Sequence, residues 1–302
     1  MITIRPDAAI GIAAVSPICG CSGKCAYCYL DIKDLKHPQI NALSVDDAIS
    51  DLLQNDQFLQ GREGTFICVG VWGEIFPRDS DLREESFRWI RQLAKLENPI
   101  VLITKGALTE QEAFQLKSMQ IYEHQIVVLV SVSTLSFWKS IEPGTASPAS
   151  RFQTISNLKN QDIESCVFLN PFINGITNLE YRQILEETRQ RGIKHIILSP
   201  LYLNDILCEK LQKHPIMRPV IEKYKHQDAN ASYMKNQDFE VKEDTITVDH
   251  QELLREAEHF GISCWFHYSC FLCNYYQRKN IYFYQRADIC MDCGNCVKLQ
   301  NR

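Results

Sequence analysis

From residue 10 to residue 200 the chain alternates short, almost continuously apolar runs with longer amphipathic stretches. The apolar runs fall at 10–15, 65–71, 100–104, 126–133, 166–172 and 195–200, and their length predicts strands. Helical periodicity marks 45–59, 81–96, 109–119, 148–158 and 179–191. Capping residues sharpen several starts. Ser44 precedes Val45, Thr109 has Glu112 three residues on, and Thr177 has Glu180 three on. Apolar runs without alternation suit a parallel sheet covered on both faces. Successive βα units with right-handed crossovers predict a partial (β/α)6 TIM-like barrel over residues 1–204.

Beyond it the pattern weakens. A helical stretch at 211–224 is interrupted by Pro215 and Pro219, and the polar run 228–244 reads as a loop over the barrel. A clear amphipathic helix at 249–259 and a short strand at 261–266 follow. The predicted organisation is a barrel, a connecting region at 205–263 and a cysteine-rich tail at 264–302.

Composition narrows the function classes. With 45% hydrophobic and 23% charged residues, the 302-residue chain can build an ordinary core. A formal charge of −5 provides no global attraction for phosphate backbones. No apolar run approaches the ~20 residues of a membrane span, and the opening MITIRPDAAIG lacks a signal-peptide core, so a cytoplasmic location is expected. Thirteen cysteines in such a protein point to metal rather than disulfides. Ten of them sit in two groups, four within Cys19–Cys28 and six within Cys264–Cys296. Cys68, Cys166 and Cys208 stand apart and read as small buried hydrophobes.

The first group contains Cys21, Cys25 and Cys28 in a C-x3-C-x2-C spacing, with Tyr27 before the last thiol. Three thiols on one loop can hold three irons of a [4Fe–4S] cluster and leave the fourth iron to a chelating ligand. A small zinc knuckle needs a fourth ligand nearby, which only Cys19 offers. The spacing and the aromatic residue resemble the radical S-adenosylmethionine superfamily. That resemblance implies S-adenosylmethionine on the free iron, reductive cleavage to a 5′-deoxyadenosyl radical, and a reductant such as flavodoxin or ferredoxin. Gly73 and Glu74 resemble the superfamily's GGE motif, with Trp72 in place of the first glycine; in the superfamily this backbone receives the S-adenosylmethionine amino group.

Four further segments, VLITKGALT from Val101, the stretch from Val130 to Lys159, FLNPFINGITN from Phe168 and IILSPLYL from Ile196, resemble the spore photoproduct lyase branch. This likeness implies that Lys105 and Ser133 contact the S-adenosylmethionine carboxylate, and that Glu142 and Arg151 lie near the cofactor. A salt bridge bracing the loop after the fourth strand explains Glu142 and Arg151 equally well. The chain departs from the branch in one respect: the hydrogen-donating cysteine of the DNA-repairing lyases has no clear counterpart, and Cys68 reads as core.

The tail carries Cys270, Cys273, Cys290, Cys293 and Cys296, with Cys264 in an aromatic strand as bystander. Two C-x2-C pairs fit a second [4Fe–4S] cluster or a zinc ribbon. The aromatics around them (Tyr268, Phe271, Tyr275, Tyr276, Tyr282, Phe283 and Tyr284) pack around that centre or stack on a nucleobase. An auxiliary cluster is common among radical S-adenosylmethionine enzymes that modify ribosomally made peptides. The expected substrate is therefore a peptide precursor, brought by a small leader-recognition protein, with bond cleavage or rearrangement such as tyramine excision. Nucleic-acid lesion repair and a non-enzymatic iron–sulfur or zinc sensor are the alternatives.

Overall fold

Eight strands form the main sheet of the computed structural model, which describes residues 3–5, 11–30, 35, 37–225, 233–236, 239–243 and 250–278. They are β1 (Thr3–Arg5), β2 (Ile12–Val15), β3 (Phe66–Val69), β4 (Ile100–Thr104), β5 (Ile126–Ser131), β6 (Glu164–Phe172), β7 (His195–Pro200) and β8 (Ser263–Trp265). Spatial order equals chain order. β1 runs antiparallel to β2, and every later neighbour pair is parallel. Sequential parallel strands joined by helices wind as a barrel, and among the described residues no ladder closes β8 onto β1. The six expected strands are present as an open, TIM-like barrel. β8 extends the same sheet, pairing Ser263 with His195 and Trp265 with Ile197.

The flanking helices are α1 (Val45–Gln54), α2 (Ser80–Ala94), α3 (Glu110–Met119), α4 (Pro148–Asn160) and α5 (Thr177–Gln190). Two of the anticipated caps form: Ser44 accepts from the Asp47 amide, and Thr109 with Glu112 makes a reciprocal capping box. The third does not. Thr177 is the first residue of α5, donating to the Ser133 carbonyl at 2.6 Å, while Glu180 accepts from Thr134 and the amides of Leu135 and Ser136. That pair ties α5 to the loop after β5.

Strand alternation gives the sheet two different apolar faces. Ile67, Leu102, Val128, Val130 and Val167 point outward against Trp89, Leu93, Leu116 and Ile155 of the helices. Phe66, Cys68, Val101, Val127, Leu129, Cys166 and Phe168 point into the bore. There they meet the last described helix, which follows α6 (Asp205–Gln212), α7 (Arg218–Lys225) and α8 (His250–His259) as α9 (Tyr268–Tyr275). Tyr276 donates to the His124 carbonyl at 2.8 Å, and Arg278 donates to the Gly64 carbonyl at 2.7 Å while stacking 4.5 Å over Phe66. Those anchors precede β5 and β3, so α9 fills the bore from its N-terminal end.

Two expectations change here. Of the aromatics read as packing around a tail metal or on a nucleobase, Tyr268, Phe271, Tyr275 and Tyr276 line the bore in one cluster with Cys270; Tyr282, Phe283 and Tyr284 lie outside the described residues. The stretch read as a loop contains a hairpin, residues 233–236 pairing with 239–243, which in turn pairs with Tyr202 and Leu203. Its alternation of Phe239 and Val241 with Glu240 and Lys242 is too short to stand out in a polar run. Pro219 opens α7 rather than breaking it, since the first turn has no amide partner to lose. Among the described residues no helix is long and apolar enough to cross a membrane.

Candidate functional site

At the C-terminal ends of the strands the bore opens into a cavity that is continuous with solvent, with about 830 Å³ of empty space when that open part is included. Cys21, Cys25 and Cys28 line one wall, with Lys105, Ser131 and Asn170 from the ends of β4, β5 and β6 opposite. Tyr29 and Tyr202 also line it, as do Gly73 and Glu74. Gly70, at φ +102°, ends β3 where a Cβ would overlap the Ile103 carbonyl, so the strand can turn out of the sheet there.

The thiol loop is seated on the turn 141–146 that follows β5. The Ala26 amide donates to Ile141 at 2.7 Å and the Gly144 amide to Gly23 at 2.9 Å. A Cβ on Gly144 would overlap the Ser22 carbonyl, so only glycine allows this approach. Within the loop the Gly23 amide donates to Cys21 Sγ at 3.2 Å and the Cys28 amide to the Cys25 carbonyl at 3.0 Å.

Beneath the cavity lies a buried cluster of charges. Glu142 and Arg151, both fully buried, pair at 2.7 Å, and Glu142 lies 3.6 Å from Lys105 Nζ. Tyr27 donates its hydroxyl to Glu142 Oε1. Burial alone would raise the Glu142 carboxyl, but Arg151, Lys105 and the Tyr27 hydroxyl hold it below its ordinary range. Burial and the Glu142 charge push the Tyr27 hydroxyl well up, so it remains a donor. Lys105 Nζ donates to Ser131 Oγ and, at 2.5 Å, to the Asn170 carbonyl. An ammonium has three donors; the third makes no hydrogen bond among the described residues, and Nζ lines the cavity with the Glu142 carboxylate 3.6 Å away.

The anticipated residues thus divide. Cys21, Cys25, Cys28, Tyr27, Gly73, Glu74 and Lys105 all line the cavity. Glu74 turns its carboxylate aside, accepting from the amides of Phe76 at 2.8 Å and Lys105 at 2.7 Å and from the Thr104 hydroxyl. Ser133 lies behind the wall, 3.3 Å from the Tyr27 hydroxyl, and Ser131 takes the cavity-facing place. The strand ends at Ser131, so the residue two further on no longer follows its alternation. Arg151 is a layer below, donating to the carbonyls of Ala146 at 2.9 Å and Ser131 at 3.0 Å; it forms the brace that the salt-bridge alternative describes. Tyr202 and Thr145 are lining residues that the sequence reading missed. Tyr202 follows a strand end by two residues, which is the signal that could have found it.

Three soft thiols sharing one cavity are the donor set that a cluster takes at three of its irons. Among the described residues no group of three His, Cys, Asp or Glu is arranged around a single ion, and Cys19 does not line the cavity. A zinc ion takes four ligands, whereas a cluster held by three thiols leaves its fourth iron to another ligand; the three thiols fit the latter. Burial, with the Glu74 charge behind it, pushes the Cys21 thiol up to about 11. Burial and Glu142 push Cys25 well above its ordinary value. Without metal these two thiols stay protonated, and metal binding releases their protons. In the tail, Cys273 is fully buried and Cys270 packs partly buried against the bore cluster, one helical turn away. Cys290, Cys293 and Cys296 lie outside the described residues.

No protein-family model matches the chain, and no curated protein does. Solved structures share its fold. Spore photoproduct lyase complexed with dinucleoside spore photoproduct aligns at TM-score 0.61 and 14% identity over 88% of this chain and 79% of that chain. A double mutant of that lyase with bound AdoMet and dinucleoside spore photoproduct aligns at TM-score 0.60 and 14% identity, over 87% and 78%. Streptococcus suis SuiB bound to S-adenosylmethionine reaches TM-score 0.48 at 12% identity, over 72% of this chain and 48% of that chain. The fold is therefore the open βα-barrel of the spore photoproduct lyase structures.

Proposed function

We propose that the chain is a radical S-adenosylmethionine enzyme acting on a peptide. The observation that carries this reading is the sharing of one cavity by three thiols and the Lys105 ammonium. A [4Fe–4S] cluster and S-adenosylmethionine bound there supply one-electron cleavage of the C–S bond and hydrogen-atom abstraction, the electron coming from a flavodoxin- or ferredoxin-like reductant. Cys21, Cys25 and Cys28 hold three irons. Lys105 gives its remaining N–H to the S-adenosylmethionine carboxylate, and the backbone at Gly73 and Glu74 meets the amino group. The Glu74 carboxylate, already engaged, keeps that backbone in place. The filled bore below closes the cavity's inner end to water.

A peptide is favoured by the cavity's charge. Among the described lining residues Lys105 is the single basic side chain, and it is held by Ser131 and Asn170. A phosphate backbone needs a basic track. A second cluster on Cys270, Cys273, Cys290 and either Cys293 or Cys296 accompanies this reading, with zinc as the alternative. The test is deuterium transfer. Anaerobically reconstituted enzyme is given deuterated peptide precursors or a deuterated dinucleotide photoproduct, and 5′-deoxyadenosine is examined by mass spectrometry. Label arriving from a peptide alone supports the reading, and label from the dinucleotide alone replaces it with lesion repair.

A further inference from the structure

The thiol loop and Lys105 reach the cavity from different strands, and one turn touches both. Along its backbone, Ile141 and Gly144 bond to Ala26 and Gly23 of the thiol loop, and the Ala146 amide donates to the Lys105 carbonyl at 3.2 Å. Glu142 repeats the connection with its side chain. Its Oε1 accepts from Tyr27, which stands between Cys25 and Cys28, and lies 3.6 Å from Lys105 Nζ. Its Oε2 is pinned 2.7 Å from Arg151, whose other donors grip Ala146, Ser131 and Thr145. A carboxylate serving only to brace the turn against Arg151 would not need the other two partners. Glu142 is fully buried and does not line the cavity, so it touches no ligand itself.

We infer that Glu142 is a positioning residue that fixes the thiol loop and the Lys105 ammonium at one separation, so that a ligand can meet both. The inference rests on the S-adenosylmethionine reading above. Glu142→Gln keeps the shape and an oxygen that accepts from Tyr27, and removes the charge paired with Lys105. Tyr27→Phe keeps the ring and every charge and removes only the hydroxyl.

Both variants, their double mutant and the wild type are reconstituted anaerobically. Iron per chain, thermal midpoint and the S-adenosylmethionine dissociation constant per cluster-bearing chain are then measured. Glu142→Gln is expected to weaken binding about ten- to a hundredfold, because it removes the buried charge paired with Lys105 at 3.6 Å and frees the ammonium to move. Tyr27→Phe is expected to weaken it about threefold to tenfold, with iron and midpoint near wild type. In the Glu142→Gln background the Tyr27 hydroxyl meets a neutral amide oxygen in place of a carboxylate, so Tyr27→Phe is expected to cost less there than in the wild type. A purely structural Glu142 lowers the midpoint and the iron content, while the chains that do load iron bind S-adenosylmethionine within twofold of wild type; that result overturns the inference. Should Glu142→Gln not fold, Tyr27→Phe decides alone by the same twofold criterion. A wild type that loads iron yet binds no S-adenosylmethionine overturns the cofactor reading, and the inference with it.

Discussion

The two ends of the bore are made by the same strands and finish in opposite chemistry. β5 presents Val127 and Leu129 inward near its start and Ser131 at its end; β6 presents Cys166 and Phe168, then Asn170. The lower residues meet α9 and its aromatic side chains, whereas the upper ones face a cavity with the thiol loop across it. One alternation therefore builds a dry plug and a polar site a few residues apart. The lower end contributes stability, and the upper end buries Glu142, Arg151 and Lys105 in an ion cluster whose desolvation offsets much of its attraction. Geometry at the upper end, rather than stability, is what those charges provide.

A substitution at each end separates the two contributions. Phe271→Ala opens a cavity in the plug, where Phe271 is fully buried and stacks on Tyr275 at 5.7 Å. It is expected to cost about 3–5 kcal/mol of stability in denaturant unfolding, while the folded protein binds S-adenosylmethionine as before. A large loss of affinity at unchanged stability would show that the plug shapes the cavity, and would break the comparison. Lys105→Ala is expected to do the reverse at smaller scale. Binding weakens by about 1.5–3 kcal/mol, or ten- to a hundredfold, with a lesser change in stability. Affinity unchanged within twofold together with a fall in thermal midpoint would make Lys105 part of the brace.

The sequence made the barrel legible because each parallel strand is an apolar run bounded by polar residues, and each helix carries its own periodicity. It also showed the three thiols and Lys105, since a strand-end residue in such a barrel faces the open end. α9 was not legible as a plug. Tyr268, Phe271 and Tyr275 sit among cysteines, and nothing local distinguishes aromatics that pack in a bore from aromatics that pack around metal. The division between Ser131 and Ser133 escaped for a related reason: alternation assigns both to one face, and only the place where the strand stops separates them. Glu142 and Arg151 had two readings from the sequence, cofactor neighbours or a brace. Their mutual 2.7 Å distance and complete burial describe the brace, with Glu142 reaching on to Tyr27.

The central claim is that the thiol loop at the upper end holds a cluster that cleaves S-adenosylmethionine. The measurement that reaches it most directly is 5′-deoxyadenosine formation by wild type and by the Cys21→Ala, Cys25→Ala, Cys28→Ala triple variant. Both are reconstituted without oxygen and given the same strong reductant. The account predicts 5′-deoxyadenosine from the wild type and none from the variant, whose circular dichroism stays that of the folded barrel because the loop lies outside both apolar faces. Undiminished product from the folded variant, or none from an iron-loaded wild type, contradicts the claim.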